Sequence, residues 1–441
     1  MFEALTLDDL VIRSSSHTSF FGVYLATHAI VDALCMCHAS VGCKVKTQQH
    51  LVIHDGVKDA HSRMRYSQFI DEDLINGSTA QLEEEIVAWF RRQNPGIVVI
   101  DGSTPISLQA QSMAGVIQRM ESATGAHVVY VAARNYESDY LGGYADTIGT
   151  VLRRLEWQKG QRRADEVTVV GHVFDRYEPD QIGNVSELRR LLLKLGFKAH
   201  AVFMSGEPYA NLKQAINARS HVVLPHAHSQ AKVLQALGQD HCETGLPMSL
   251  GGTKAWLRAV GKHLRVQQRA ADLIDHEMQR IKPLAELARR ELAGKRFALF
   301  ADAPRAAGVA ATLMEVGMVP GVIGTLHFQC GGKDEVVRLC REQHETELPA
   351  DTEWLENPTP AAVAAAAVDG CELAIGTTIE RELLAKRCPT WLEFGFPSED
   401  RHYLFPAPHL GFNGALRLWE QAMLALAQAR SSDGRRRSGR R

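Results

Sequence analysis

The chain has 441 residues, 49 Lys and Arg against 51 Asp and Glu, and 45% hydrophobic residues, a globular composition too long for one core, so two to four domains are expected. The near-neutral balance excludes the broad charged surface of nucleic-acid or anionic-membrane binders. No apolar run reaches the roughly 18–20 residues of a membrane span, and the acidic start MFEALTLDDL lacks the basic region of a leader, so a cytoplasmic setting without nucleic acid or membrane insertion is expected.

In chain order, three stretches repeat a short β-branched run, a Gly-containing turn, an amphipathic helix and another apolar run, the pattern of parallel α/β units. In the first, GIVVIDGS (96–103) and AHVVYVAA (126–133) read as buried strands separated by the helical ISLQAQSMAGVIQRMESATG. The polar LEWQKGQRRADE (155–166) reads as a linker. The second unit runs through strand VTVVGHVF (167–174), helix VSELRRLLLKLG (185–196), strands KAHAVFMS (198–205) and HVVLPH (221–226), and helix TKAWLRAVGKHL (253–264). A helix from about Arg265 to Leu292, rich in Ala, Glu, Arg and Leu, joins it to the third.

The third unit takes KRFALFAD (295–302), a helix near GVAATLMEVG (308–317), VPGVIGTLH (319–327), CELAIGT (371–377), PTWLEF (389–394) and a closing helix from about Gly414 to Ala429. The predicted fold is α/β, three Rossmann-like domains, each a small parallel sheet flanked by helices. Their boundaries fall at 1–160, 165–290 and 291–430, followed by a disordered basic tail at 431–441.

The chain has no phosphate loop of the G-x-x-x-x-G-K-[ST] type, no G-x-G-x-x-G after a strand, no G-x-S-x-G elbow, no H-E-x-x-H helix and no paired C-x-x-C. Nucleotide hydrolysis on a phosphate loop, dinucleotide binding, and the usual hydrolase and zinc motifs therefore lose support. The eight cysteines, Cys35, Cys37, Cys43, Cys242, Cys330, Cys340, Cys371 and Cys388, are too dispersed for a secreted disulfide framework and read mostly as reduced, buried thiols.

Reactive side chains concentrate in ALCMCHASVGCKVKTQQHLVIHD (33–55), which holds Cys35, Cys37, His38, Cys43, His50, His54 and Asp55. Thiolates are the usual ligands of iron–sulfur clusters, and a Gly before the ligand lets the backbone approach inorganic sulfide, so Cys43 in SVGC is the natural ligand candidate. Cys35 and Cys37 share one face of a strand, where burial is the better reading. One cysteine is too few for a [4Fe–4S] cluster, so other residues or another chain must supply the rest.

Taken in order, several motifs make the chain resemble a component 1 subunit of the nitrogenase family, from about Ser19 to Ala427. SFFGVYLATHAI (19–30) resembles the Pro-Leu-Gly-Ala-type helix start of the beta-type subunits, and HASVGC (38–43) their His-Gly-x-x-Gly-Cys turn. VVIDGSTPISLQAQS (98–112), NYESDYLGGYADTIGTVLRRL (135–155), the second-domain start at 167–197, LPMSLGGTKAWLRAV (246–260) and GFPSEDRHYLFPAPHLGFNGALRL (395–418) follow in the family's order.

The resemblance implies that Cys43 is a cluster ligand, while Ser19 and Ser103 stand near the two other positions where full nitrogenase subunits carry cysteines. That pattern is similar to the beta-type subunits of chlorophyllide reductase and of the cofactor-assembly scaffold. A paralogous alpha-type subunit would then supply the remaining cysteines of a shared [4Fe–4S] cluster in an α2β2 heterotetramer. A homodimeric ATP-dependent iron–sulfur reductase, the only component to carry ATP, would deliver the electrons. The compact second unit favours the tetrapyrrole-reductase side, but no counterpart of the extra C-terminal domain of those beta subunits is expected here, which leaves the substrate open.

His226, His228, Asp302, Glu399, Asp400 and His402 lie at predicted strand ends or in loops and are the candidate proton donors. Solvated histidines at a helix start and a structural ion pair at 400–402 are the competing readings. A metallocluster-assembly scaffold and a carbon–sulfur-cleaving reductase of the methylthio-alkane type are the alternatives to a tetrapyrrole reductase.

Overall fold

The computed structural model describes residues 18–40, 42–44, 63–108, 112–134, 137–388, 390–399 and 403–438. Contacts divide the chain into two compact units, Met1–Glu178 with Lys198–Glu243, and Pro179–Phe197 with Thr244–Arg441. The architecture is α/β, three parallel sheets flanked by helices.

The first unit holds two sheets. In one, β1 (Ala33–His38), β2 (Met64–Tyr66), β3 (Ile97–Gly102) and β4 (His127–Ala132) take the order β2-β1-β3-β4, all parallel. Leu34 and Met36 of β1, Val98 and Ile100 of β3 and Val128 of β4 meet Leu82, Ile86 and Trp89 from helix Thr79–Phe90 and Val116 and Met120 from helix Met113–Thr124. Side chains alternate along a strand, so Cys35, Cys37, Val99 and Asp101 take the opposite face.

Helices Ser19–His28 and Tyr140–Arg154 pack on each other through two glycines. A Cβ at Gly22 would overlap the Tyr140 carbonyl, and one at Gly143 the Ser19 carbonyl. The single helix expected across 106–125 is two, Thr104–Leu108 and Met113–Thr124. Ser112 stands at the second N-cap in an extended conformation, without a side-chain capping hydrogen bond among the described residues.

The second sheet has β5 (Arg163–Val170), β6 (Lys198–Val202), β7 (Ala218–Val223) and β8 (His241–Glu243) in the order β6-β5-β7-β8. β5 begins inside the stretch expected to be a linker. Apolar character marks only its buried half, Val167–Val170, while the polar start is held by Arg163, which donates to Glu166 and Gln214 at 2.9 Å each. Tyr144 joins the two sheets: its hydroxyl accepts the Phe174 N–H at 2.9 Å and donates to the Met204 carbonyl at 3.1 Å.

In the second unit, β9 (Arg296–Ala301), β10 (Val319–Thr325), β11 (Glu353–Glu356), β12 (Leu373–Gly376) and β13 (Trp391–Glu393) form a parallel sheet ordered β11-β10-β9-β12-β13. The helix expected at 185–196 starts earlier and spans Pro179–Lys194. Pro suits a first helical position, where no N–H is needed. Gly183 and Asn184, breakers by propensity, have tertiary uses: Gly183 makes room for the Ala407–Pro408 backbone, and Asn184 Oδ1 accepts the N–H groups of His409 and Leu410 at 2.7 and 3.0 Å.

The closing helix, Gly411–Ser438, begins three residues before the expected start and runs past Ala429 into the stretch expected to be a disordered tail. No proline interrupts 411–438, and its single late glycine is Gly434, a cost of only about 1 kcal/mol. No helix of the described residues is long and apolar enough to cross a membrane. None of the eight cysteines is joined in a disulfide, and Cys35, Cys37, Cys340 and Cys388 are buried.

Candidate metal centre

β1 delivers its last residue, His38, into a fully buried seat between Ser67 and Ser78, with Nδ1 2.7 Å from Ser67 Oγ and Nε2 3.1 Å from Ser78 Oγ. Burial lowers its pKa to about 4, so the ring is neutral, one nitrogen donating and the other accepting. This fixes the point from which the Cys43 turn departs. Ser40 bridges to Phe69, the Cys43 N–H donates to the Ser40 carbonyl at 3.1 Å, and Cys43 Sγ lies 4.0 Å from Ser40 Oγ.

Cys43 is half-buried, and a Cβ at its neighbour Gly42 would meet nothing within 4 Å among the described residues. The Ser103 N–H donates to the His38 carbonyl at 3.1 Å just after β3, and the Arg134 N–H, just after β4, donates to Ser19 Oγ at 3.3 Å. Cys43, Ser103 and Ser19 thus belong to one carboxyl-terminal edge of the first sheet, the edge where parallel α/β sheets place ligands. A half-exposed thiol beside a glycine that no described residue crowds fits one ligand of a cluster completed from outside the chain. Serine hydroxyls, which ionise far less readily than thiols, would add little to iron ligation.

Behind this edge lies a group that sequence reasoning missed. Asp101 of β3 is the register partner of Cys37 of β1. The ligating atoms of Cys35, Cys37 and Asp101 all lie within 4.8 Å of one another, and the two sulfurs are 3.9 Å apart. Both Asp101 carboxylate oxygens are buried, without a hydrogen-bond partner among the described residues. Burial first, and then the neighbouring Cys35 and Cys43, raise the Asp101 pKa well above the carboxylate range; burial and Cys35 do the same for the Cys37 thiol. The one signal in the sequence was a carboxylate closing the apolar run IVVID.

The proposed proton donors sit elsewhere. His226 is buried in the 3-10 turn Pro225–Gln230 after β7, and His228, in the same turn, has Nδ1 3.9 Å from Glu243 Oε2. In the second unit, Asp302 caps helix Ala303–Met314 by accepting the Arg305 N–H, and the Glu399 N–H donates to Thr378 Oγ1 and Glu393 Oε1 at 2.9 and 2.8 Å. Asp400 and His402, like His50, His54 and Asp55, lie outside the described residues.

The sequence profile of the family described as nitrogenase component 1 type oxidoreductase matches residues 18–426. A light-independent protochlorophyllide reductase subunit of Heliobacterium modesticaldum is 22% identical over 363 residues, 78% of this chain and 66% of that protein, so this chain spans just under two thirds of its length. The corresponding polypeptide of Methylobacterium radiotolerans is 27% identical over 382 residues, 81% of this chain and 67% of that protein. The solved structure "Nitrogenase Cp1 at pH 6.5" superposes with a TM-score of 0.77 at 18% identity, covering 94% of this chain and 93% of that one, a likeness of fold.

Proposed function

The chain belongs to the nitrogenase component 1 type oxidoreductase family, and from that membership we propose that it is the beta-type subunit of a two-component reductase. Cys43 contributes one thiolate to a [4Fe–4S] cluster, and a paralogous alpha-type subunit in an α2β2 assembly contributes the other ligands. A homodimeric ATP-dependent iron–sulfur reductase supplies electrons, and ATP stays on that component. When bound, the cluster supplies one-electron transfer at low potential.

The observation that carries this reading is Cys43, half-buried beside Gly42, whose Cβ position meets no described residue, on the same sheet edge as Ser19 and Ser103. The chain's own part is to hold that thiol. His38 anchors the strand end through two serines, and the Ser40 carbonyl accepts the Cys43 N–H. In the second unit Leu404 and Phe405 are 93% and 80% exposed, an apolar surface of the kind an assembled subunit covers. A reducing cytoplasm suits eight cysteines that form no disulfide.

The relatives named as protochlorophyllide reductase subunits favour a tetrapyrrole as the substrate. His226 and His228, with Asp400 and His402, are the groups we assign to proton delivery. The test is anaerobic co-purification with the paralogous subunit, iron counting and electron paramagnetic resonance on wild type and Cys43→Ala. Loss of iron and of the cluster signal in the variant is expected; unchanged iron would overturn the ligand assignment. Binding of a preformed metallocluster in place of a tetrapyrrole would move the protein to the scaffold reading.

A further inference from the structure

We propose that Cys35, Cys37 and Asp101 form a second metal site in this chain, a buried mononuclear centre for a soft divalent cation such as Zn2+ or Fe2+, separate from the cluster ligand Cys43. The proposal rests on the side chains of β1 and β3 alone and stands whether or not Cys43 holds a cluster.

Three observations carry it. Cys35 and Cys37 are two residues apart on one strand and so face the same way, and the register of the parallel pair sets Asp101 beside Cys37 on that face. The spacing fits a tetrahedral ion: Zn–S bonds of about 2.3 Å put two thiolates about 3.8 Å apart around one metal, and the sulfurs here are 3.9 Å apart with the carboxylate oxygen inside the same 4.8 Å sphere. The Asp101 carboxylate is fully buried, and neither oxygen has a hydrogen-bond partner among the described residues. Leaving such a group buried and unpaired is costly.

A cation removes that cost. Binding displaces the thiol protons, and the carboxyl proton where one is held, to solvent, and the dication then balances two of the three negative charges that the ligands carry. Two thiolates with one carboxylate favour Zn2+ or Fe2+ over Mg2+ or Ca2+, which prefer all-oxygen shells. Three donors leave a fourth tetrahedral position that the triad does not fill. Because all three side chains are buried, the metal enters as the sheet closes, and its binding energy adds to folding.

The test uses the full chain, refolded anaerobically with Co2+ as a probe for tetrahedral thiolate sites, and also purified from Zn2+-supplemented culture for metal counting. The expected result is one Co2+ per chain with thiolate-to-cobalt charge-transfer and tetrahedral visible absorption. That signal should vanish in Cys37→Ser, weaken at least about tenfold in affinity in the near-isosteric Asp101→Asn, and persist in Cys43→Ala. Should Cys37→Ser fail to fold, thermal unfolding decides: a chelator present during refolding lowers the midpoint of wild type and lowers that of Asp101→Asn by less, and equal shifts would overturn the proposal. Absence of metal from the wild-type chain, full metal in Cys37→Ser, or loss of metal in Cys43→Ala would each overturn the proposal. None of these readouts depends on iron in the assembled complex, so the two sites fail or stand separately.

Discussion

The hydroxyl of Ser19 accepts the backbone N–H of Arg134 at 3.3 Å, joining the first turn of helix Ser19–His28 to the chain leaving β4. Ser19 is fully buried, so its oxygen already serves a structural donor at the position where the resemblance places a ligand. Ser19→Ala leaves that N–H without its acceptor and is expected to cost about 1 kcal/mol, read as a lower urea midpoint. Iron bound through Cys43 should be unchanged; a matching loss of iron would show that Ser19 contacts the cluster.

The crossing of helices Ser19–His28 and Tyr140–Arg154 tolerates no side chain at its glycines. Gly143→Ala drives a methyl into the Ser19 carbonyl, whereas Gly42→Ala meets no described residue. The first is expected to lose several kcal/mol or fail to fold, as overpacking at rigid backbone does, and the second to change the stability of the isolated chain by less than about 0.5 kcal/mol. Soluble yield and thermal midpoints separate the two; equal midpoints would argue against the close crossing.

Acid should destabilise the protein below about pH 6.5 through three buried histidines. Burial lowers the pKa of His38, His221 and His344 to about 4. Their folded values lie below the unfolded value of about 6.5, so unfolding takes up protons, and stability present above pH 6.5 is lost as pH falls toward 4. Urea midpoints measured between pH 7 and 4.5 should fall steadily. His38→Gln should lessen the slope, and a slope identical to wild type would remove His38 from this account.

Glu315 works in the opposite direction. It accepts the N–H groups of Leu250 and Gly251 at 3.0 and 2.9 Å, yet burial raises its pKa to about 7. A carboxyl whose folded pKa lies above its unfolded value contributes stability at low pH that is lost as pH rises from about 4.5 through 7. Glu315→Gln keeps an acceptor oxygen and removes the charge. Relative to wild type it should gain up to roughly 3 kcal/mol at pH 8 and little near pH 4.5; a constant difference across that range would show that Glu315 does not titrate there.

Much of this protein was legible one segment at a time. Buried strands such as β1, β3 and β9 announce themselves as short apolar runs, and Cys43 stands out in a Gly-containing turn after one of them, because burial and turn chemistry are local properties written in adjacent residues. Where an element's reason lies elsewhere in the chain, the local pattern failed. The helix at Pro179 starts across Gly183 and Asn184 because those residues serve the turn at 407–410, and β5 starts at Arg163 because the polar side chain finds partners at Glu166 and Gln214.

The same division holds for the chemistry. Cys35 and Cys37 were visible as neighbours on one strand face, since alternation along a strand needs no partner. That Asp101 stands beside them was decided by strand register alone: parallel pairing of β1 with β3 sets residues distant in the chain side by side, and no short-range signal encodes which carboxylate that will be. Ser19 and Ser103 reach the Cys43 edge for a related reason, because a parallel sheet brings the ends of successive strands to one side whatever the length of chain between them.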